Sequence, residues 1–248
     1  MRTLYDDLHD PVELPTNITS VVSIVPSLTE SIAHTRRALL TGATDWCSHP
    51  HDLDVTRVRG TKNPDVERIV GLRPDVVVAN AEENRGVDLD ALRAHGIAVW
   101  VTTPTTVEES LTSLERMLSA ITGTTPAWLD RAREVWSTPY EGPRRRAVVP
   151  IWRKPWMALG RDTFAGDVLN RLGIDNVFAE SPERYPRFTP AALPPYDVVV
   201  LPDEPYAFSP DDGPEVFDRP AKCVSGRHLT WYGPSLVEAR AVLSGQLA

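Results

Sequence analysis

The chain has 248 residues, 42% hydrophobic and 24% charged, with a formal charge of −8 and two cysteines. That is enough for one large domain or two lobes with cores of their own, and it excludes a disordered tail, a collagen-like chain and a disulfide scaffold. The acidic balance argues against a nucleic-acid partner, and no apolar run approaches the roughly 18 residues that span a bilayer.

Residues 1–19 (MRTLYDDLHDPVELPTNIT) are acidic and prolyl. They have neither the basic start nor the continuous apolar stretch of a secretory leader. As written, this predicts a cytoplasmic protein; a leader removed upstream would place it in the periplasm or outside the cell. Cys47 and Cys223 read as free thiols in a reducing compartment.

The first strand signal is Ser23-Ile24-Val25-Pro26, followed by Ser27-Leu28-Thr29-Glu30, a capping box that opens a helix. Asn63-Pro64-Asp65 predicts a second helix start, with an N-cap, a proline in the first turn and an acidic residue behind it. Asp75–Val78 (DVVV) is a short β-branched run of the kind that forms buried parallel strands. A helix over 88–95 and a strand over 97–101 follow, with His95 placed to meet carbonyls at the helix end. From Thr106 to Ile121 the apolar residues Val107, Leu111, Leu114, Leu118 and Ile121 keep a helical period. Gly123 and Pro126 interrupt it, and a second helix runs over 126–138. Strands over 146–151 and 197–201, a helix from Thr163 to Leu172 and a last helix over 234–246 complete the pattern.

The second half echoes the first. DVVV recurs at Asp197–Val200, Val148-Val149-Pro150 matches the 23–26 run, and Ala221–Val224 weakly matches Ile97–Val101, all at nearly constant offset. Fixed spacing of like elements marks repeated units. The expected fold is therefore α/β: two Rossmann-like lobes with parallel sheets, over 1–104 and 141–248, joined by a single helical connector over 105–140. One stiff connector predicts a cleft that opens only slightly.

Ligands of α/β units bind outside the carboxyl ends of the parallel strands. The segments there are rich in aromatic and cationic residues: Ser27, Trp46, Glu83, Arg85, Trp152, Arg153, Trp156, Arg161, Tyr206, Trp231 and Tyr232. Aromatic walls and Arg forks suit a large, partly planar ligand with carboxylate or amide edges. Cys47, His49 and His51, at alternate loop positions, are a candidate metal-ligand set, although no CxxC or HxxxH framework accompanies them. No GxSxG, Walker-type or GxGxxG motif is present, so no catalytic residue is assigned.

Seven stretches carry a family resemblance: VVSIVPSLTE (21–30), TDWCSHP (44–50), RGTKNPDVERIVGLRPDVVVANAEENR (59–85), HGIAVWVTTPTTVEES (95–110), PIWRKPWMALGRDTFAGDVLNRLGIDNVF (150–178), ERYPRFTP (183–190) and LTWYGPS (229–235). In this order they resemble the helical-backbone metal receptor superfamily, and within it the cobalamin- and siderophore-type class III substrate-binding proteins of ABC importers. The resemblance implies a monomeric, non-enzymatic protein that needs no cofactor. Its small-molecule ligand would be a corrinoid such as cobalamin, haem or a ferric siderophore, held between the lobes. Importer components of this family dock on an ABC permease through an acidic residue on each lobe. Glu67 matches the first, whereas Pro190-Ala191-Ala192 stands where the second is expected. Thr61 stands where the familiar cobalamin protein has tryptophan. These departures imply a binder no longer coupled to a transporter; the alternatives are a substrate-binding component of a cobalamin or iron-siderophore ABC importer, and a metal-handling protein or enzyme using Cys47, His49 and His51.

Overall fold

The computed structural model describes all 248 residues, which fall into two compact units. The first comprises Met1–Pro104, Ser110–Asp130 and Tyr232–Pro234, and the second Thr105–Glu109, Arg131–Trp231 and Ser235–Ala248. The 105–140 stretch expected as a connector is thus shared between the two units.

The first unit opens with an antiparallel hairpin, β1 (Arg2–Tyr5) and β2 (Pro11–Leu14). Then come β3 (Val21–Ser23), α1 (Pro26–Arg36), β4 (Leu40–Ala43) and β5 (Thr56–Arg57). A small hairpin, β6 (Arg59–Gly60) and β7 (Asn63–Pro64), leads into α2 (Val66–Leu72), β8 (Val76–Asn80), α3 (Gly86–Ala94) and β9 (Val99–Thr102). The five-stranded sheet has the order β5-β4-β3-β8-β9, and every pair in it is parallel. Its core includes Val22, Ile24, Ile69, Val77, Leu92 and Val101. The hairpin covers the open edge at β9, where Asp6 Oδ2 accepts from Val101 N at 3.1 Å and Asp7 Oδ2 from Thr103 N at 2.9 Å. An edge strand's unpaired N–H groups need such partners.

Helix α4 (Val107–Thr122) buries all five apolar residues of its expected stripe, and α5 (Ala127–Ser137) follows it. The second unit continues with β10 (Arg145–Val148), β11 (Pro150–Trp152), β12 (Met157–Ala158), α6 (Phe164–Asn170) and β13 (Ile174–Asn176). It ends with β14 (Val198–Pro202), β15 (Ala221–Val224), α7 (Gly226–Thr230) and α8 (Leu236–Leu247). The order β13-β10-β14-β15 is again parallel throughout, and it reproduces β4-β3-β8-β9 of the first unit. Val148, Val199, Leu201, Phe208 and Phe217 form its core, with Trp156 and Tyr206 packed against them.

Two helix starts differ from expectation. In α1 the N-cap is Val25, with no side-chain cap. Pro26 begins the helix, so Ser27 falls inside the first turn, where it cannot reach the orphan N–H groups that an N-cap side chain serves. In α2 the N-cap is Asp65, whose Oδ1 accepts from Arg68 N at 3.1 Å. Asn63-Pro64 instead pairs with Arg59–Gly60, which moves the start two residues on.

Candidate functional site

Each unit ends its parallel strands in loops that carry the candidate residues. In the first unit, the loop after β4 is pinned from beneath. Cys47 is fully buried, with its sulfur 3.0 Å from Thr29 Oγ1 and 3.1 Å from Thr44 Oγ1. Burial pushes this thiol above its ordinary range, which keeps it protonated. Arg57 donates to the carbonyls of Thr44 at 2.9 Å, Cys47 at 3.0 Å and Leu53 at 3.1 Å. With the backbone held this way, Trp46 projects outward and is 70% exposed. Cys47 therefore points into the core and shares no site with His49 and His51, which lie on the outside of the loop. A metal set of all three residues is corrected on that ground.

The loop after β8 is organised by two asparagines that the sequence reading did not single out. Asn80 Oδ1 accepts from the N–H groups of Glu82 at 2.8 Å and Glu83 at 3.1 Å. Asn84 Oδ1 accepts from Asn80 N at 2.9 Å, while its amide donates to Ile24 O at 3.3 Å and Thr61 O at 2.9 Å. Asn84 thereby ties three strand-end loops together. The only signal in the sequence was an asparagine directly before Arg85, in a position that looks like ordinary loop. Glu83 is half-buried, and Arg85 is ion-paired to Asp88 at 2.8 Å. Ser27 is buried, with its hydroxyl unpaired.

Tyr232, from late in the chain, also belongs to this unit. It is buried, and its hydroxyl accepts from Asn80 Nδ2 at 2.7 Å and lies 2.8 Å from Thr102 Oγ1. Burial pushes the phenol well above its ordinary range. Its role is to brace the strand ends.

In the second unit, Trp152 at the end of β11 is 44% exposed and meets Tyr206 edge-on at 5.5 Å. Tyr206 packs on Phe208 at 4.5 Å, and Trp156 stacks on Phe208 at 6.1 Å with the planes 2° apart. The result is a continuous aromatic layer whose outer members are Trp152 and Tyr206. Arg153 lies over Trp156 at 5.5 Å and is ion-paired to Asp212 and Glu215, so it fastens the loop over 209–215 to this layer. Trp231 is buried, and its Nε1 donates to Glu204 Oε2 at 2.8 Å. Burial raises the Glu204 carboxyl above its ordinary range, and the indole hydrogen bond partly offsets that. Arg161 pairs with Asp162 at 2.6 Å. It helps line a cavity of about 230 Å³ together with Thr105, Thr106, Thr163, Asn170 and Asn176. Glu67 is exposed in the first turn of α2.

The site residues thus sort by exposure. Of the seven tryptophans, Trp100, Trp128, Trp136 and Trp231 are buried, while Trp46 and Trp152 stand in solvent, one at the strand ends of each unit. Both exposed indoles sit beside the loops that follow the strands, with Tyr206 next to Trp152.

Comparison with known proteins agrees with this architecture. The vitamin B12-binding protein of Vibrio parahaemolyticus is 24% identical over 188 residues, covering 72% of this chain and 66% of the relative, so the match spans just under two thirds of that relative's length. The periplasmic vitamin B12-binding protein of Vibrio cholerae superposes with a TM-score of 0.74 at 18% identity, covering 93% of this chain and 96% of that one. A periplasmic heme-binding protein from Pseudomonas aeruginosa gives 0.76 at 21% identity, covering 92% of both chains. At these identities the superpositions establish the class III binding-protein fold. The periplasmic binding protein family model matches residues 21–191, from the first strand of the five-stranded sheet to the turn after Thr189, and the chain belongs to that family.

Proposed function

We propose that the protein is a non-enzymatic receptor for a chelated metal complex, with a corrinoid as the first choice and haem or a ferric siderophore as the other members of the class. The observation that carries this reading is the pair of exposed indoles: Trp46 in the loop after the parallel strand β4, and Trp152 at the end of β11, in the antiparallel hairpin that follows the parallel strand β10. An apolar, polarisable ring face gains most from a large flat partner, because stacking adds to the area removed from water. Tyr206 extends the contact beside Trp152. The names of the vitamin B12-binding relatives support the corrinoid within the class. Calorimetric titration of the full chain with aquocobalamin, cobinamide, haemin and a ferric hydroxamate tests it. Saturable one-to-one binding of at least one is expected, and heat indistinguishable from dilution for all four would refute the reading.

A finer part of the proposal is that this receptor is not coupled to a permease. Glu67 offers an exposed carboxylate, but Ala191 and Ala192 offer none at the second expected docking position. Adding the protein to a reconstituted class III importer should leave its ATPase rate unchanged; stimulation would overturn this part alone.

A further inference from the structure

The hairpin that carries Trp152 is part of a small three-stranded antiparallel patch, and the third strand brings a cation that nothing in the chain uses. The segment 184–188 runs beside β12: Ala158 N donates to Pro186 O at 3.0 Å, Phe188 N to Trp156 O at 3.1 Å and Gly160 N to Arg184 O at 2.8 Å. Met157 and Arg187 are therefore directly opposed. The hydrogen bonds flank this pair, which makes it the closer of the two antiparallel pairings, with Cα atoms about 4.5 Å apart. Met157 is in turn opposed to Trp152 across the hairpin. Opposed residues share one face of a sheet. An indole, a thioether and a guanidinium thus stand in one row, two interstrand steps or about 10 Å long. Trp156 and Phe188, the next residues along, turn to the other face, where they meet at 5.9 Å and pack with Phe217.

The row is set apart by what it leaves unpaired. Trp152 and Arg187 are exposed and Met157 is half-buried. Arg153 and Arg161 of the same unit are held by Asp212, Glu215 and Asp162, whereas Arg187 forms no ion pair within the chain. The aromatic packing on the reverse face anchors its strand, so the guanidinium is presented from a rigid element. Its planar fork of N–H donors matches the two oxygens of a carboxylate. The indole and the thioether are apolar and polarisable, which suits the face of a large ring. A chelate lying on Trp152 and Met157 carries its rim to Arg187. There an ionised carboxylate gains a charge-assisted pair that an amide or an ester does not make.

We propose that Arg187 is a specificity-determining residue, selecting chelates with free side-chain carboxylates over their amidated or esterified counterparts. This inference rests on the receptor reading above and narrows its ligand class. Calorimetry on the full chain with two matched pairs tests it: haemin against haemin dimethyl ester, and cobyrinic acid against cobinamide. In a pair that binds, the carboxylate member should bind about tenfold more tightly, a modest factor because the guanidinium is exposed. The preference should shrink at about 0.5 M salt. Arg187→Gln should lower the carboxylate member to the affinity of the neutral one and leave the neutral one unchanged, which separates a lost ion pair from a disturbed sheet. Arg187→Lys, which keeps the charge without the fork, should retain part of the preference. Arg146→Gln, at an exposed arginine at the start of β10, should change nothing. Equal affinities within every binding pair, or a preference that survives Arg187→Gln, would overturn the inference and leave the receptor reading standing. Dilution heat alone with all four compounds would also overturn it, and the receptor reading falls as well if a ferric hydroxamate is equally silent.

Discussion

The Tyr232 hydroxyl accepts a hydrogen bond from Asn80 Nδ2 at 2.7 Å, across 152 residues of sequence. Asn80 and Thr102 are register partners at the ends of β8 and β9, so this one phenol caps two adjacent strands where the site loops begin. Tyr232→Phe leaves the Asn80 amide buried without that partner. The expected cost is about 1–3 kcal/mol of stability, read by urea denaturation followed at the far-ultraviolet helix signal. An unchanged midpoint would mean that the contact carries no weight.

The two thiols should behave differently. Burial pushes both thiols up, and access separates them: Cys47 is buried and Cys223 is exposed. Titration with an aromatic disulfide reagent at pH 8 should release one equivalent from the native protein and two after denaturation in guanidinium. Two rapid equivalents from the native state would show that the loop after β4 opens readily.

Glu204 gives the second unit a pH dependence of known sign. Its carboxyl is raised above the ordinary value of 4.5, first by burial. A group whose native pKa is raised favours the native state while protonated, and that advantage disappears as pH rises through the native pKa. Glu204→Gln keeps an acceptor for Trp231 and never ionises. The variant should therefore gain stability over the parent as pH rises from about 4.5 toward 7, with no gain below pH 4. Parallel denaturation curves at those pH values check it, and a gain that grows toward acid would reverse the assignment.

Much of the fold was legible because the repeat has a physical cause. Asp75 N donates to Ser20 O, and its Oδ2 accepts from Ser20 N at 3.0 Å. Asp197 makes the same reciprocal pair with Arg146, its Oδ2 accepting from Arg146 N at 2.8 Å. In both units the aspartate of DVVV thus fastens the edge of one central strand to the start of its neighbour, and the motif recurs because the task recurs. The periodic stripe of α4 was equally readable, since all its apolar positions found the core.

The site was less legible. Composition marked a set of aromatic and Arg residues but could not say which side chains face out. Trp231 and Trp46 look alike in sequence; one is buried against Glu204 and the other stands in solvent. Arg85, Arg153 and Arg161 looked like ligand forks, and each is held by a carboxylate supplied by distant loop residues for Arg153 and by near neighbours for the other two. The bracing work of Asn84 depends on contacts to Ile24 and Thr61, far from it in sequence, which no local pattern announces.

The proposed function needs Trp46 and Trp152 to be ligand contacts, and tryptophan quenching tests that most directly. Cobinamide and haemin would be titrated into the parent chain, Trp46→Ala and Trp152→Ala, with calorimetry in parallel to separate affinity from signal. Burying an exposed indole against a flat chelate is worth about 1–3 kcal/mol, so each variant should bind the accepted ligand roughly tenfold to a hundredfold more weakly. Parent-like affinity in both variants would show that neither indole meets the ligand.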